Sequence, residues 1–148
     1  MCGIVGAAGA DSQAVRSLIN PIRHRGPDGG PFFINTNNVS IGAVRLSIVD
    51  VQGGTQPMID KYSRNILAQN GEIYNYLELK QELKRLGEQF ESTCDTEVLL
   101  KGFTHFGPSF VEKLNGIFAI AFYDAKTTIL YLFQRLFRSK TALLQVGT

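Results

Sequence analysis

The sequence predicts an α+β protein in packed layers with antiparallel sheet, on three observations. Apolar runs of strand length are interleaved with blocks of helical periodicity in no regular βαβ alternation, which argues against a doubly wound parallel sheet. Two strongly apolar runs, 117–123 and 128–133, flank the turn residues Asp124, Ala125, Lys126 and Thr127, a hairpin signal. Between the strand-rich ends, one helix carries its own start and stop residues.

In chain order, Ile4 and Val5 begin the first strand. A helix follows, with Asp11 or Ser12 as its N-cap and Ala14, Val15, Leu18, Ile19 and Ile22 along one face. Strand-like runs at 31–34, 39–49 and 66–69 are separated by the turn-forming stretches RGPDGG, NTNN and DVQGGTQP. Asn75 is placed to cap a second helix, Glu78 to complete a capping box, Leu79, Leu83 and Leu86 to form its apolar face, and Gly87 to end it. A third helix is predicted over 96–106, with Gly102 as a weakness in its interior, and a short fourth over 108–114. The two runs of the final hairpin read as strands buried on both faces.

The 148 residues predict one domain, long enough to bury a core without disulfides or a structural metal. Fifteen basic against 13 acidic residues leave a net charge of +2, with the cations scattered, so neither nucleic acid nor an anionic membrane is an expected partner. No apolar run approaches the length of a transmembrane helix and the start lacks the charged region of a secretory signal, so a cytoplasmic location is expected. Cys2 and Cys94 have no metal-ligand spacing, and there is no GxxxxGK loop for a nucleotide. No cofactor is expected on this chain.

Position makes Cys2 the sharpest chemical feature. Removal of Met1 would place an α-amino group, with a pKa of about 7.7–8.0, on the same residue as a thiol of pKa about 8.5. Such an amine is partly a free base near neutral pH and can take the thiol proton, giving a self-contained nucleophile. By itself Cys2 reads better as a small apolar residue opening a strand. Asn70-Gly71 alone would suggest a hairpin turn, although the apolar run before it and the capped helix after it weaken that reading. Arg45 interrupts the apolar sequence Val44, Leu46, Ile48, Val49; it either faces solvent or presents a planar guanidinium to a carboxylate. Asp95 suits a helix N-cap and Glu72 an ordinary surface position.

Five motifs occur together: MCGIVG at 1–6, RHRGPDGG at 23–30, VRLSIVD at 44–50, QNGEIYN at 69–75 and DTEVLL at 95–100. In this order they resemble the class II glutamine amidotransferases, through about Asp124, and the HRGPD form at 24–28 resembles the asparagine synthetase type. The resemblance implies a four-layer αββα N-terminal nucleophile hydrolase fold. It implies hydrolysis of L-glutamine to L-glutamate and ammonia through a thioester on Cys2, with the Asn70 side chain and the Gly71 amide as oxyanion donors. It also implies that Arg45 holds the substrate carboxylate, that Leu46, Ser47, Ile48 and Val49 line the pocket, and that Asp95 and Glu72 face the ammonium. Arg25 and its turn then shape the loop over Cys2, while His24 and His105 are structural and Cys94 is a small buried filler beside the pocket. The implied partners are L-glutamine and an ATP- and magnesium-using synthetase domain or subunit, and a homodimer is compatible with the reading.

The resemblance ends after about residue 133. LFQRLFRSKTALLQVGT stands where the family has an RDxxGxKPLY-like segment and then further strands, so the domain is expected to be incomplete at its carboxyl end, with no synthetase part and with 129–133 as an exposed, apolar sheet edge. A truncated or frameshifted reading, a stand-alone glutaminase and a partial chain all fit. A degenerate module that only binds glutamine or a partner is the alternative function, and an amide hydrolase for acylated amino acids is another.

Overall fold

A computed structural model describes residues 2–8, 12–36, 38–46, 54–136 and 142–147. Among these residues, eight strands and three helices follow in the order β1 (Gly3–Ala8), α1 (Ser12–Ile19), β2 (Gly29–Asn35), β3 (Val39–Arg45), β4 (Met58–Ile59), β5 (Ile66–Ile73), α2 (Tyr76–Arg85), α3 (Asp95–Phe106), β6 (Gly116–Asp124), β7 (Ile129–Arg135) and β8 (Ala142–Gly147). Two 3-10 segments, Asn20–Arg25 and Gly107–Lys113, extend α1 and α3, so the expected fourth helix is 3-10 rather than α.

The strands form two antiparallel sheets, one in the order β1-β3-β2 and one in the order β4-β5-β6-β7-β8. Their inner faces meet through Ile4, Ile34, Val39 and Ile41 on one side and Ile66, Ala68, Ala121, Tyr123 and Leu130 on the other. The outer face of the larger sheet is covered by α2 and α3, which bury Leu79, Leu83, Val98, Leu99 and Phe103 against Leu67, Phe118, Ile120, Phe122 and Phe133. α1 packs on β1 and β3, closing the other side. The order helix, sheet, sheet, helix is the predicted four-layer α+β arrangement, and it follows from sheets that carry apolar residues at both parities.

Phe103 lies at the centre of the helix-side core, stacked on Phe122 and Phe133 with ring centroids 5.1 and 5.0 Å away and edge-on to Phe110. Gly102 is the reason that Phe110 fits, since any Cβ there would strike its ring. The apparent weakness of α3 is therefore a packing requirement. Asn65 ties this helix to the sheet, donating from Nδ2 to Thr104 Oγ1 at 3.1 Å and accepting from the Ala125 amide at 2.9 Å.

Several expectations are corrected. Asn75 precedes α2, but its side chain makes no cap hydrogen bond; it donates to the Lys113 carbonyl and accepts from the Asn115 amide, so tertiary partners have outcompeted the capping box. The other end of α2 is as predicted: Glu88 N–H bonds Leu83 O and Gly87 N–H bonds Lys84 O, a Schellman closure. Leu18 and Leu86 belong to the apolar faces by periodicity yet are half exposed, Leu86 as the cap residue just past the end of α2. β7 is not an edge: β8 pairs along it from Gln134–Ala142 to Ile129–Gly147, and β8 is the outermost strand instead. Asp11, the alternative N-cap, lies outside the described residues. No helix of the described residues is long and apolar enough to cross a membrane.

Candidate active site

Strand alternation brings the first candidates together. Ile4 on β1 and Ile41 on β3 face the second sheet, so Cys2 and Arg45, two and four residues away, share that inner face. On β5, Ala68 faces inward and so does Asn70. Arg45 is 7% exposed, which settles its orientation: it is buried and does not face solvent. The RGPD turn wraps this end of β3, with Pro27 bridged to Arg45 and the Asp28 amide donating to the Arg45 carbonyl at 3.1 Å. Arg25 reaches the same place, its Nε donating to the Cys2 carbonyl at 3.3 Å. The Cys2 thiol donates to the Leu46 carbonyl at 3.7 Å.

At this end of the sheets lies a cavity of about 250 Å³. Of the predicted residues, Cys2, Arg45, Leu46, Gly71, Glu72 and Asp95 line it. Asn70 is adjacent in β5 and half-buried without being a lining residue, and its Oδ1 is a buried acceptor with no partner among the described residues. Ser47, Ile48 and Val49 lie outside the described residues. His24 is exposed and apart from the cavity, and His105 lies on α3 with its Nδ1 3.6 Å from the Glu88 carboxylate.

Asn70-Gly71 is not a turn. Both residues lie inside β5, opposite Ala119 and Phe118 of β6. Gly71 has φ +147°, and a Cβ there would collide with the Ile117 carbonyl oxygen, so only glycine fits this crossing. The break in regular strand geometry falls at the cavity wall.

The acidic side of the cavity comes from α3. The cap position of this helix is Cys94, with extended φ and ψ, and Asp95 is its first helical residue. Glu97, buried one turn in, spends its carboxylate on the preceding loop, accepting from the Glu91 and Ser92 amides at 2.8 and 2.7 Å and from the Ser92 hydroxyl at 2.5 Å. The loop is therefore pinned by Glu97, and Asp95 stands at the cavity, where the helix N-terminus favours its charge. One guanidinium with two carboxylates, Glu72 and Asp95, makes the cavity complementary to a small zwitterion.

Sequence reasoning missed Gly54, Gln56, Gln69, Tyr74, Thr96 and Ile117, which also line the cavity. Gln69 carried a usable signal, the same that marked Arg45: a polar residue within an apolar strand. Cys94 lines the wall as a buried filler; burial pushes its thiol up, against weaker opposing hydrogen bonds from Ser92 and the Glu97 amide.

Comparison with known proteins matches residues 1–137 to the family described as glutamine amidotransferase domain. The chain is 38% identical over 139 residues to asparagine synthetase (glutamine-hydrolyzing) 3 of Bacillus subtilis, covering 88% of this chain and 22% of that protein. It is likewise 38% identical over 134 residues to asparagine synthetase B (glutamine-hydrolyzing) of Escherichia coli, covering 85% of this chain and 24% of that one. The chain thus spans about a quarter or less of the length of these relatives. Among solved structures, the glutamine phosphoribosylpyrophosphate amidotransferase of B. subtilis superposes with a TM-score of 0.64 at 21% identity, over 90% of this chain and 36% of that one, a likeness of fold.

Proposed function

The chain belongs to the glutamine amidotransferase domain family, and from that premise we propose that it is a glutaminase unit of the asparagine synthetase type, releasing ammonia from L-glutamine. The single observation that carries the reading is the cavity joining Cys2 to Arg45, Glu72 and Asp95.

In this reading Arg45 holds the α-carboxylate by parallel hydrogen bonds, Asp95 and Glu72 hold the α-ammonium, and Leu46 continues the wall. The side-chain amide of the substrate then reaches Cys2. With Met1 removed, the free amine of Cys2 takes the thiol proton and the sulfur attacks the amide carbon. The resulting oxyanion accepts hydrogen bonds from the Asn70 side chain and the Gly71 amide; one such donor typically contributes about 2.7–4 kcal/mol to transition-state stabilisation. The Cys2 ammonium returns its proton to the leaving nitrogen and ammonia departs, leaving a γ-glutamyl thioester. Water, deprotonated by the same amine, attacks that thioester; glutamate leaves and the thiol is restored. No step requires a metal or cofactor on this chain. The ammonia passes to an amide-forming synthetase domain or subunit in the cytoplasm, where ATP and magnesium would act.

The test is ammonia release from L-glutamine by the chain with Met1 removed, alongside Cys2→Ala. The variant is expected to lose turnover while still binding glutamine. Unchanged turnover in Cys2→Ala would exclude this sulfur as nucleophile, and glutamine binding without turnover in the parent chain would favour a binding module over an enzyme.

A further inference from the structure

Behind Asp95 the cavity wall holds a polar network that the reaction above does not use. Gln69, 3% exposed, donates from Nε2 to Thr96 Oγ1 at 3.2 Å, and its backbone amide donates to Gln56 Oε1 at 2.6 Å. All three residues line the cavity and all are buried. The Gln56 side chain stands where a neighbouring strand would otherwise bond β5, since β4 reaches only Leu67. Gln69 is thereby fixed at both its backbone and its amide nitrogen, and its Oε1 remains a buried acceptor with no partner among the described residues. A buried acceptor without a donor is unfavourable, so its complement is a water of the cavity or a donor brought by the ligand that displaces it.

We propose that Gln69 Oε1 is a substrate-binding acceptor for the α-ammonium of the bound amino acid. The inference rests on the glutamine reading given above. An ammonium offers three N–H donors, and Asp95 and Glu72 account for two of them. Gln69 supplies the third partner from the same end of the cavity, since the residue that orients its amide, Thr96, directly follows Asp95. A neutral acceptor in this place adds selectivity for an α-amino acid without a further negative charge, because a buried polar group left unpaired penalises a ligand that lacks the donor.

The experiment measures calorimetric affinity of the full chain, in a Cys2→Ala background, for L-glutamine and for 5-amino-5-oxopentanoate, which is glutamine without its α-amino group. Gln69→Met, of similar length without the acceptor, is expected to weaken glutamine by about ten- to a hundredfold and to leave the deamino analogue nearly unchanged. Gln69→Glu, which keeps an acceptor, is expected to retain the preference for glutamine. An unchanged preference in Gln69→Met overturns the assignment while leaving the glutamine site intact. Equal loss of both ligands in Gln69→Met, joined to loss of preference in Gln69→Glu, also overturns it. Failure of glutamine to bind the Cys2→Ala chain at all would remove the underlying reading as well.

Discussion

Gly54 lies directly against the Arg45 guanidinium: a Cβ at position 54 would stand 2.6 Å from Arg45 Nη2 and 3.3 Å from the Cys94 Cβ. The backbone at 54 thus forms one wall of the slot that holds the only cation lining the cavity among the described residues. Neither neighbour can easily retreat, because Arg45 and Cys94 are both buried.

A methyl group at Gly54 should therefore displace the guanidinium and misalign its hydrogen bonds to a carboxylate. Charge-assisted bonds of this kind contribute about 1.5–3 kcal/mol, so Gly54→Ala is expected to raise KM for glutamine about ten- to a hundredfold with a much smaller change in kcat. Arg45→Ala should show the same split to a larger extent. Steady-state ammonia release over a range of glutamine concentrations checks both, and an unchanged KM in Arg45→Ala would count against its carboxylate role.

The two cysteines should differ sharply in reactivity. Cys94 is 3% exposed, burial pushes its thiol up, and its sulfur sits 3.1 Å from the Ser92 hydroxyl. Cys2 is only half-buried and opens on the cavity. Iodoacetamide at neutral pH is expected to add once, at Cys2, with glutamine slowing the reaction and Cys94 reacting only after unfolding. Intact mass followed by peptide mapping checks this, and labelling of Cys94 in the folded chain would contradict its placement in the wall.

The layers and most strands were legible because apolar parity is local information. β5 and β6 carry apolar residues on both faces and could only be central. Asn75 was misread as a side-chain cap because its partners, Lys113 and Asn115, lie 38 and 40 residues away, beyond the reach of any local rule. β4 was missed because two residues give no periodicity. In the site, Cys2, Arg45, Gly71 and Asp95 were found through motif resemblance, whereas Gln56, Gln69 and Thr96 were not. Their importance lies in a mutual hydrogen-bond arrangement across 13 and 27 residues, which becomes visible only when β5 and α3 are packed. Gly54 was hidden for a related reason: its role is a space reserved for another residue's side chain.

The connection between β4 and β5 provides a test of stability against pH. Burial alone would push the Asp60 carboxyl up, but it accepts from the Ser63 amide and hydroxyl at 2.8 and 2.9 Å and from the Tyr62 amide at 3.1 Å, and Lys101 lies 3.5 Å away. The net result is a pKa below the ordinary 3.8. A carboxyl lowered on folding contributes stability above its unfolded pKa and loses it as pH falls through the folded value. Asp60→Asn should accordingly destabilise the chain by about 1–2 kcal/mol at pH 7, since the charge-assisted bonds and the Lys101 attraction are lost. That difference should shrink as the pH drops below 3.8, where the native carboxyl also becomes neutral. Because Lys101 belongs to α3 and also pairs with Glu88 at 3.5 Å, the loss should loosen the helix that carries Asp95. Urea denaturation at pH 7 and at a series of acidic pH values measures the difference, and a gap that stayed constant to the lowest pH would show that Asp60 acts through packing rather than charge.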